Sequence, residues 1–300
     1  MSSGIPKIAF AGGTLDRAAD LRGDGRADHL RELDSSRAVL VGDGQEVAIA
    51  GDGGPLARVP VADLPADAEL TFLGLQPSSG AALFAYDARA PWFEAPLGTA
   101  FVRLRALAGE LDPEDAALAA YAVGMVGWHR VQRFCGRCGS ATEVEAAGHR
   151  RHCPVCGLTH FPRTDPAITM LVQSGERCLL SRRRGAPENR WSALAGFVEP
   201  GETPEEAVVR EAREETGVEI ARVEYVTAQP WPFPQALMLG YWAFADPPTD
   251  GEDPRVDQEE LVEARWWRRD ELAGALRDDA IVLPPPGTIG NYLISTWLAG

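Results

Sequence analysis

The chain has 300 residues, 45% of them hydrophobic and 24% charged, a balance that fits globular domains and excludes a disordered, collagen-like or disulfide-stapled chain. With 44 acids against 29 bases the formal charge is −15, which argues against a clamp for duplex DNA, because neutralising phosphates needs a basic surface. No apolar run reaches the length of a membrane helix, and residues 1–10 hold neither a basic nor a long apolar stretch, so no membrane attachment, no secretory signal and a cytoplasmic location are expected.

From the N-terminus, Arg37–Val41 and Glu46–Ala50 are apolar, β-branched runs around Gly42-Asp43-Gly44 and predict a hairpin. Residues 69–75 and 81–85, around Pro77-Ser78-Ser79-Gly80, predict a second, so a small, mostly β domain is expected at the start. Asp112 can cap a helix with Pro113 in its first turn, and Leu118, Tyr121, Ala122, Met125 and Trp128 recur at helical spacing behind it. Further on, residues 167–172 and 177–181 read as strands, an acidic helix follows, and residues 219–227 and 237–244 read as strands again. Residues 246–254 read as a Pro/Asp/Gly loop, and Leu-Pro-Pro-Pro-Gly at 283–287 as a rigid turn. No repeat of solenoid length is visible. The expected fold class is α+β, divided into a β-rich domain with a linking helix (1–130), a cysteine-bearing ribbon (131–162) and a mixed domain (163–300).

Four of the five cysteines stand in two pairs, Cys135-Gly-Arg-Cys138 and Cys153-Pro-Val-Cys156, fourteen residues apart. That spacing matches a closed, four-thiolate structural zinc site, with Gly139 and Gly157 placed where each knuckle turns back. Two disulfides or buried thiols are the bland alternatives, and His149, His152 and His160 rank below the cysteines as ligands. Arg133, Arg137, Arg150 and Arg151 surround the pairs, either to offset a negative centre or as a patch for a nucleic-acid tail; the chain's acidity favours the first. Cys178 lies in an apolar run and reads as core.

The acidic helix is bounded by its own chemistry. Thr203 is an N-cap, Pro204 fits the first turn, Glu206 completes a capping box and Gly217 stops the helix, giving Pro204–Thr216. At 3.6 residues per turn Glu211, Glu214 and Glu215 fall within an arc of about 100°, bordering the apolar stripe of Val208 and Ala212. Arg210 and Arg213 relieve only part of their repulsion, whereas Mg²⁺ or Mn²⁺ would relieve it well and leave room for water and phosphate. On helix charge alone, a solvated acidic face remains the stronger reading.

The segment from Gly196 to Val218 changes that balance, because it resembles the Nudix hydrolase signature G-x5-E-x7-R-E-U-x-E-E-x-G-U, where U is aliphatic. Gly196, Glu202, Arg210, Glu211, Glu214, Glu215, Gly217 and Val218 fit, and Ala212 is a small version of the first U. Downstream, Gln229-Pro-Trp-Pro-Phe-Pro-Gln-Ala236 is similar to the S-Q-P-W-P-F-P-x-S motif of the NADH pyrophosphatase branch, with Ala228 and Ala236 in place of its serines.

The resemblance implies a β-rich domain, a four-cysteine zinc ribbon and a C-terminal α/β/α sandwich with a mixed sheet, assembled as a homodimer. It implies hydrolysis of the pyrophosphate of NADH or NAD to AMP and nicotinamide mononucleotide, and in some bacterial relatives removal of NAD caps from RNA. It carries metal-ligand and catalytic roles onto Glu211, Glu214, Glu215 and Glu260, with the carbonyl of Ala195 as a further ligand and one of Glu214, Glu215 or Glu260 as the base. Glu259 is the alternative distal acid, Glu202 an orienting group and Arg210 a brace. Substrate contacts carry over to Phe161, Phe197, Gln229, Pro230, Trp231, Pro232, Phe233, Pro234, Gln235, Ala236 and Gly290. For Phe161, Phe197 and Gly290 the competing readings are core packing or turn geometry, and for 229–236 a Pro-rich structural loop. Another nucleoside diphosphate derivative such as ADP-ribose, or an RNA-binding zinc-ribbon regulator with an inert catalytic domain, are the alternatives for function.

Overall fold

The computed structural model describes residues 8–23, 25–51, 53–89, 93, 96–245, 254–256 and 258–300. The expected loop at 246–254, apart from Pro254, and Asp257 next to the distal acids lie outside the described residues. The chain forms two compact units: Ala9–Thr164 with Trp231–Gln235, and Asp165–Pro230 with Ala236–Gly300. The fold is mixed α+β.

In the first unit, α1 (Arg26–Arg31) precedes β1 (Arg37–Val41), β2 (Glu46–Ala50), β3 (Val59–Pro60), β4 (Leu70–Leu75), β5 (Ala82–Asp87) and β6 (Thr99–Arg103). The sheet order is β4-β5-β1-β2-β6 with β3 on β1, and only the β1–β5 pair is parallel. Both faces are buried, which is why β1 reads as a continuous apolar run. Val39 and Val41 join one core, and Ala38 and Leu40 the other. The first core is closed by α2 (Pro113–Val131), whose Leu118, Ala119, Ala122, Met125 and Val126 are buried. Asp112 caps it as expected, accepting hydrogen bonds from the amides of Glu114 (3.0 Å) and Asp115 (3.1 Å). A three-stranded ribbon follows: β7 (Glu143–Glu145), β8 (Arg150–His152) and β9 (Thr159–His160).

The second unit is built from β10 (Asp165–Ser174), β11 (Arg177–Arg183), β12 (Leu194–Phe197), α3 (Pro204–Thr216), β13 (Ile220–Trp231), β14 (Ala236–Ala245), β15 (Leu261–Arg268), α4 (Arg269–Arg277) and α5 (Ile289–Ala299). Its sheet order is β13-β14-β10-β11-β15 with β12 on β10, and β10–β14 is the parallel pair. Ile168, Met170 and Leu179 pack on Ala207, Val208 and Ala212 of α3. Leu171, Leu180 and Trp267 pack on Leu272 of α4 and on Leu293, Ile294 and Trp297 of α5. The result is an α/β/α sandwich, with buried Cys178 in its core.

The two sheets share one connectivity. In each, a hairpin is followed by a short strand on its first member, then by a second hairpin whose second strand runs parallel to that first member, and last by a strand on the outer side. The units differ at the link that follows the short strand. The second unit spans β12 to β13 with α3, whereas the first spans β3 to β4 with only a short 3₁₀ turn at Val61–Asp63. The repeat lies in strand pairing, so the sequence, which shows no periodic motif, does not display it.

Candidate active site

The boundaries of α3 follow the sequence to the residue. Thr203 Oγ1 accepts from the Glu206 amide (3.2 Å), Glu206 Oε2 accepts from the Thr203 amide (2.7 Å), and Gly217 ends the helix at φ +70°. The three glutamates within its arc meet different surroundings. The side chain of Glu215 is 3% exposed, that of Glu211 15% and that of Glu214 58%. The face is therefore no uniformly solvated acidic surface, because two of the carboxylates are pulled into the protein.

Arg210 organises the near side of this face. Its guanidinium donates to both oxygens of Glu202 (2.8 and 2.9 Å), to Glu211 Oε1 (2.9 Å), to Glu214 Oε2 (3.0 Å) and to the Phe197 carbonyl (2.9 Å). This holds the Glu202 carboxyl below its ordinary range and ties the loop before α3 to the helix. Arg213 turns away to Glu219 (2.9 and 3.0 Å). Burial raises the Glu211 carboxyl above its usual range, Arg210 pulls it back, and the charges of Glu214 and Glu260 push it up. Glu260 thus acts on the same electrostatic centre although it lies in a distant segment.

Gly196 in β12 has a specific reason to be glycine. A Cβ there would occupy the space of the Glu211 carboxylate, so the bare backbone lets Glu211 lie against β12 next to Ala195. The Ala195 carbonyl and Glu215 Oε1 are both approached by Nη2 of Arg183, which donates to the first and lies 4.0 Å from the second. Carboxylates of graded burial and one backbone carbonyl, beside a glycine that leaves them room, are hard oxygen donors of the type that suits Mg²⁺ or Mn²⁺. Sequence reasoning missed Arg183 and Arg184. The latter donates through Nε to the Glu259 carbonyl (3.0 Å), through its amide to the Glu260 carbonyl (2.8 Å) and through Nη2 to the Gln258 carbonyl, holding the strand entry that carries the distal acids. Nothing in local composition marks these two arginines in a chain whose bases are nearly all arginine.

The downstream motif divides. Gln229 and Pro230 end the second unit's part of β13; Gln229 is buried, donating to the Gly287 carbonyl (3.1 Å) and accepting from the Ile289 amide (2.9 Å). Its amide therefore fixes the turn that leads to Gly290 in the first turn of α5. Trp231, Pro232, Phe233, Pro234 and Gln235 belong to the first unit. There the rings of Trp231 and Phe233 lie 4.9 Å apart and pack on Phe10 at 6.0 and 5.8 Å, and Gln45 Nε2 donates to the Pro232 carbonyl (3.2 Å). The Phe233-Pro234 bond is cis. Ala236 opens β14 opposite Asp165. Phe161 and Phe197 are 63% and 61% exposed, which removes core packing as the reason for either ring.

The four cysteines come together. Cys135 and Cys156 Sγ are 3.6 Å apart, Cys138 and Cys153 Sγ 3.5 Å, and all four sulfurs lie within 4.8 Å of one another. No disulfide joins them. A tetrahedron with zinc–sulfur bonds of about 2.3 Å has edges of about 3.8 Å, so the set fits one zinc ion. The two knuckles are alike: Gly139 (φ +76°) donates to the Cys135 carbonyl and Gly157 (φ +73°) to the Cys153 carbonyl. The Leu158 amide favours the Cys156 thiolate, but desolvation and the neighbouring sulfurs push that thiol up to about 12; a dication would remove the conflict. His149 is committed elsewhere, its Nε2 at 2.7 Å from the Phe72 carbonyl. Of the surrounding arginines, Arg150 pairs with Glu145 (2.7 Å) and buried Arg151 with Thr142, Glu69 and His129. Buried Arg151 therefore forms no part of an exposed basic patch.

Comparison with known proteins agrees along the chain. Residues 163–284 match the family described as NUDIX domain, residues 130–161 the NADH pyrophosphatase zinc ribbon domain, and residues 35–128 the NADH pyrophosphatase-like rudimentary NUDIX domain. The chain is 34% identical over 311 aligned positions to the NAD-capped RNA hydrolase NudC of Mycobacterium bovis (strain BCG / Pasteur 1173P2), covering 98% of this chain and 95% of that one. It is 38% identical over 202 positions to the human NAD-capped RNA hydrolase NUDT12, covering 63% of this chain and 43% of the human one, so it spans under half of that relative. Among solved structures, a NUDIX hydrolase from Nitrosomonas europaea aligns with a TM-score of 0.38 at 23% identity, over 47% of this chain and 80% of that one.

Proposed function

The chain belongs to the Nudix hydrolases, in the branch defined by the NADH pyrophosphatase zinc ribbon, and from that membership we propose that it is a divalent-metal-dependent NAD(H) diphosphatase that also removes NAD caps from RNA. The observation that carries the reading is the carboxylate face of α3, drawn against β12 at Gly196 and electrostatically joined by Glu260. The reaction adds water across the pyrophosphate of NAD(H), breaking one P–O bond to release AMP and nicotinamide mononucleotide. Its substrate is an anion meeting an acidic helix face, so charge neutralisation is the first need.

Glu211, Glu215 and the Ala195 carbonyl would hold Mg²⁺ or Mn²⁺, with Glu214 and Glu260 completing the set. The dication supplies neutralisation of the diphosphate and acidification of water. Glu202 and Arg210 keep the carboxylates of α3 and the loop before it in one geometry. One of Glu214, Glu215 and Glu260 accepts the proton of the attacking water. Phe197 and Phe161 offer exposed faces for stacking on a base, and the Gln229-braced turn presents the Gly290 backbone. Pro230, Trp231, Pro232, Phe233, Pro234, Gln235 and Ala236 carry the substrate contacts that the branch motif implies. The cysteines hold one structural zinc ion per chain. The division into 1–130, 131–162 and 163–300, a homodimeric state, a cytoplasmic location and the lack of duplex DNA as a partner belong to the same proposal. Among the described residues, no helix is long and apolar enough to cross a membrane.

A product assay tests it. NADH, NAD⁺, ADP-ribose and NAD-capped RNA are offered side by side in ¹⁸O-water and the products weighed by mass spectrometry. The reading expects AMP, or 5′-monophosphate RNA, together with the nicotinamide mononucleotide, and one ¹⁸O in one of the two products. Turnover of ADP-ribose in preference to all the nicotinamide substrates would replace it, and binding without turnover at saturating Mn²⁺ would revive the inert-domain alternative.

A further inference from the structure

Three consecutive arginines, Arg182 and Arg183 at the end of β11 and Arg184 just after it, have no role in the family signature. Arg182 pairs across the ladder with Glu263 (3.2 Å), and Arg184 holds the main chain of residues 258–260. Arg183 follows Arg182 along the strand and so leaves from the opposite face of the sheet. The β11–β15 register shifts at the same point, where Arg182 faces Glu263 and Arg183 faces Leu261, so that Val262 is the extra residue of β15. The Arg183 guanidinium reaches the Ala195 carbonyl and lies 4.0 Å from Glu215 Oε1.

Those two oxygens are members of the dication set. A carboxylate as buried as Glu215 needs a compensating positive charge. A guanidinium and a dication cannot both take the same oxygens, since like charges a few ångströms apart repel strongly away from bulk water. The two arginines at the site differ in how firmly they are held. Arg210 is 23% exposed and makes five hydrogen bonds to the α3 face and its loop. Arg183 is 48% exposed, with one hydrogen bond and one long ion pair there, and solvent lies open to it when displaced.

We propose that Arg183 is a built-in counter-charge of the dication site: it neutralises the Glu215–Ala195 oxygens when no dication is bound, must leave them when one binds, and so sets the metal affinity. The inference rests on the reading of Glu211, Glu215 and Ala195 as dication ligands. Its test is Mn²⁺ titration of the full-length, zinc-loaded protein, with free Mn²⁺ followed by electron paramagnetic resonance, in wild type, Arg183→Gln, Arg183→Met, Arg183→Lys and Glu215→Gln. Both neutral variants should bind Mn²⁺ about tenfold tighter than wild type, and Arg183→Lys, which keeps the charge, should stay within about threefold. In dication-free buffer the neutral variants should melt about 2–4 °C lower, and Mn²⁺ should raise their melting temperature more than it does for wild type. Folded neutral variants whose Mn²⁺ affinity equals or falls below that of wild type would overturn the proposal. Glu215→Gln separates the two levels: loss of Mn²⁺ binding upholds the ligand assignment whatever Arg183 does, and undiminished binding removes that assignment and this inference with it.

Discussion

Glu215 shows how much one residue's surroundings decide. It is one of three glutamates that a helical wheel places together, yet it alone is buried. Replacing it with Gln keeps the shape and removes the charge; turnover should fall by about 10²–10⁴-fold with an unchanged circular dichroism spectrum, and a near-normal rate would take Glu215 out of the mechanism. Gly196→Ala tests the cradle. The added methyl meets only the end of a flexible side chain, so the fold should survive while the Glu211 carboxylate is pushed off β12. Steady-state kinetics should show kcat reduced with the melting temperature near that of wild type, and an unaffected kcat would mean that the position of Glu211 is immaterial. The glutamates and cysteines were legible in the sequence because their chemistry is local: a helical arc, a two-residue knuckle. Arg183, Arg184 and the buried amide of Gln229 were not, because their partners are 12, 75 and 58 residues away and are reached only through strand pairing.

At the scale of elements, β1 and β2, the β4–β5 hairpin, α2 and α3 follow from apolar runs flanking turn residues, helical spacing and caps. No local pattern marks α1, β3, β6, the ribbon strands β7, β8 and β9, β12, β15, α4 or α5. In β15 charged residues interleave with Val262, Ala264, Trp266 and Trp267, and the strand is defined by its pairing with β11, which no local pattern reports. The ribbon is the element whose stability depends most on chemistry other than packing, since its three strands are two or three residues long. Cys153 is fully buried among the sulfurs. Cys153→Ser should lower zinc content and thermal stability together; elemental analysis that still finds one zinc per chain would end the ribbon's assignment as a four-thiolate site.

For the whole molecule, the shared strand order explains why one chain carries two sheets of the same design and why the chemistry falls to one of them: α3 and its carboxylates exist only between β12 and β13. The first unit instead carries two partly buried histidines that make stability depend on pH. Arg151 can only donate, so His129 Nδ1 accepts from it (2.9 Å) and Nε2 gives its proton to the Gly148 carbonyl (2.8 Å). His129 is thus held neutral, and burial followed by the Arg151 charge lowers its pKa. Burial pushes His149 down to about 4. Because these groups protonate in the unfolded chain at about 6.5, stability should be full above that pH and decline as pH falls towards about 4. Melting curves over this range should show the decline, and His149→Gln should flatten it; an equal slope in the variant would contradict the assignment. The account as a whole turns on dications seated among the α3 carboxylates. Anomalous diffraction from crystals soaked in Mn²⁺ tests that most directly: it should place manganese about 2.1 Å from oxygens of Glu211, Glu215 and the Ala195 carbonyl, and a map without a peak there at saturating Mn²⁺, with Arg183 still on the Glu215 and Ala195 oxygens, would contradict it.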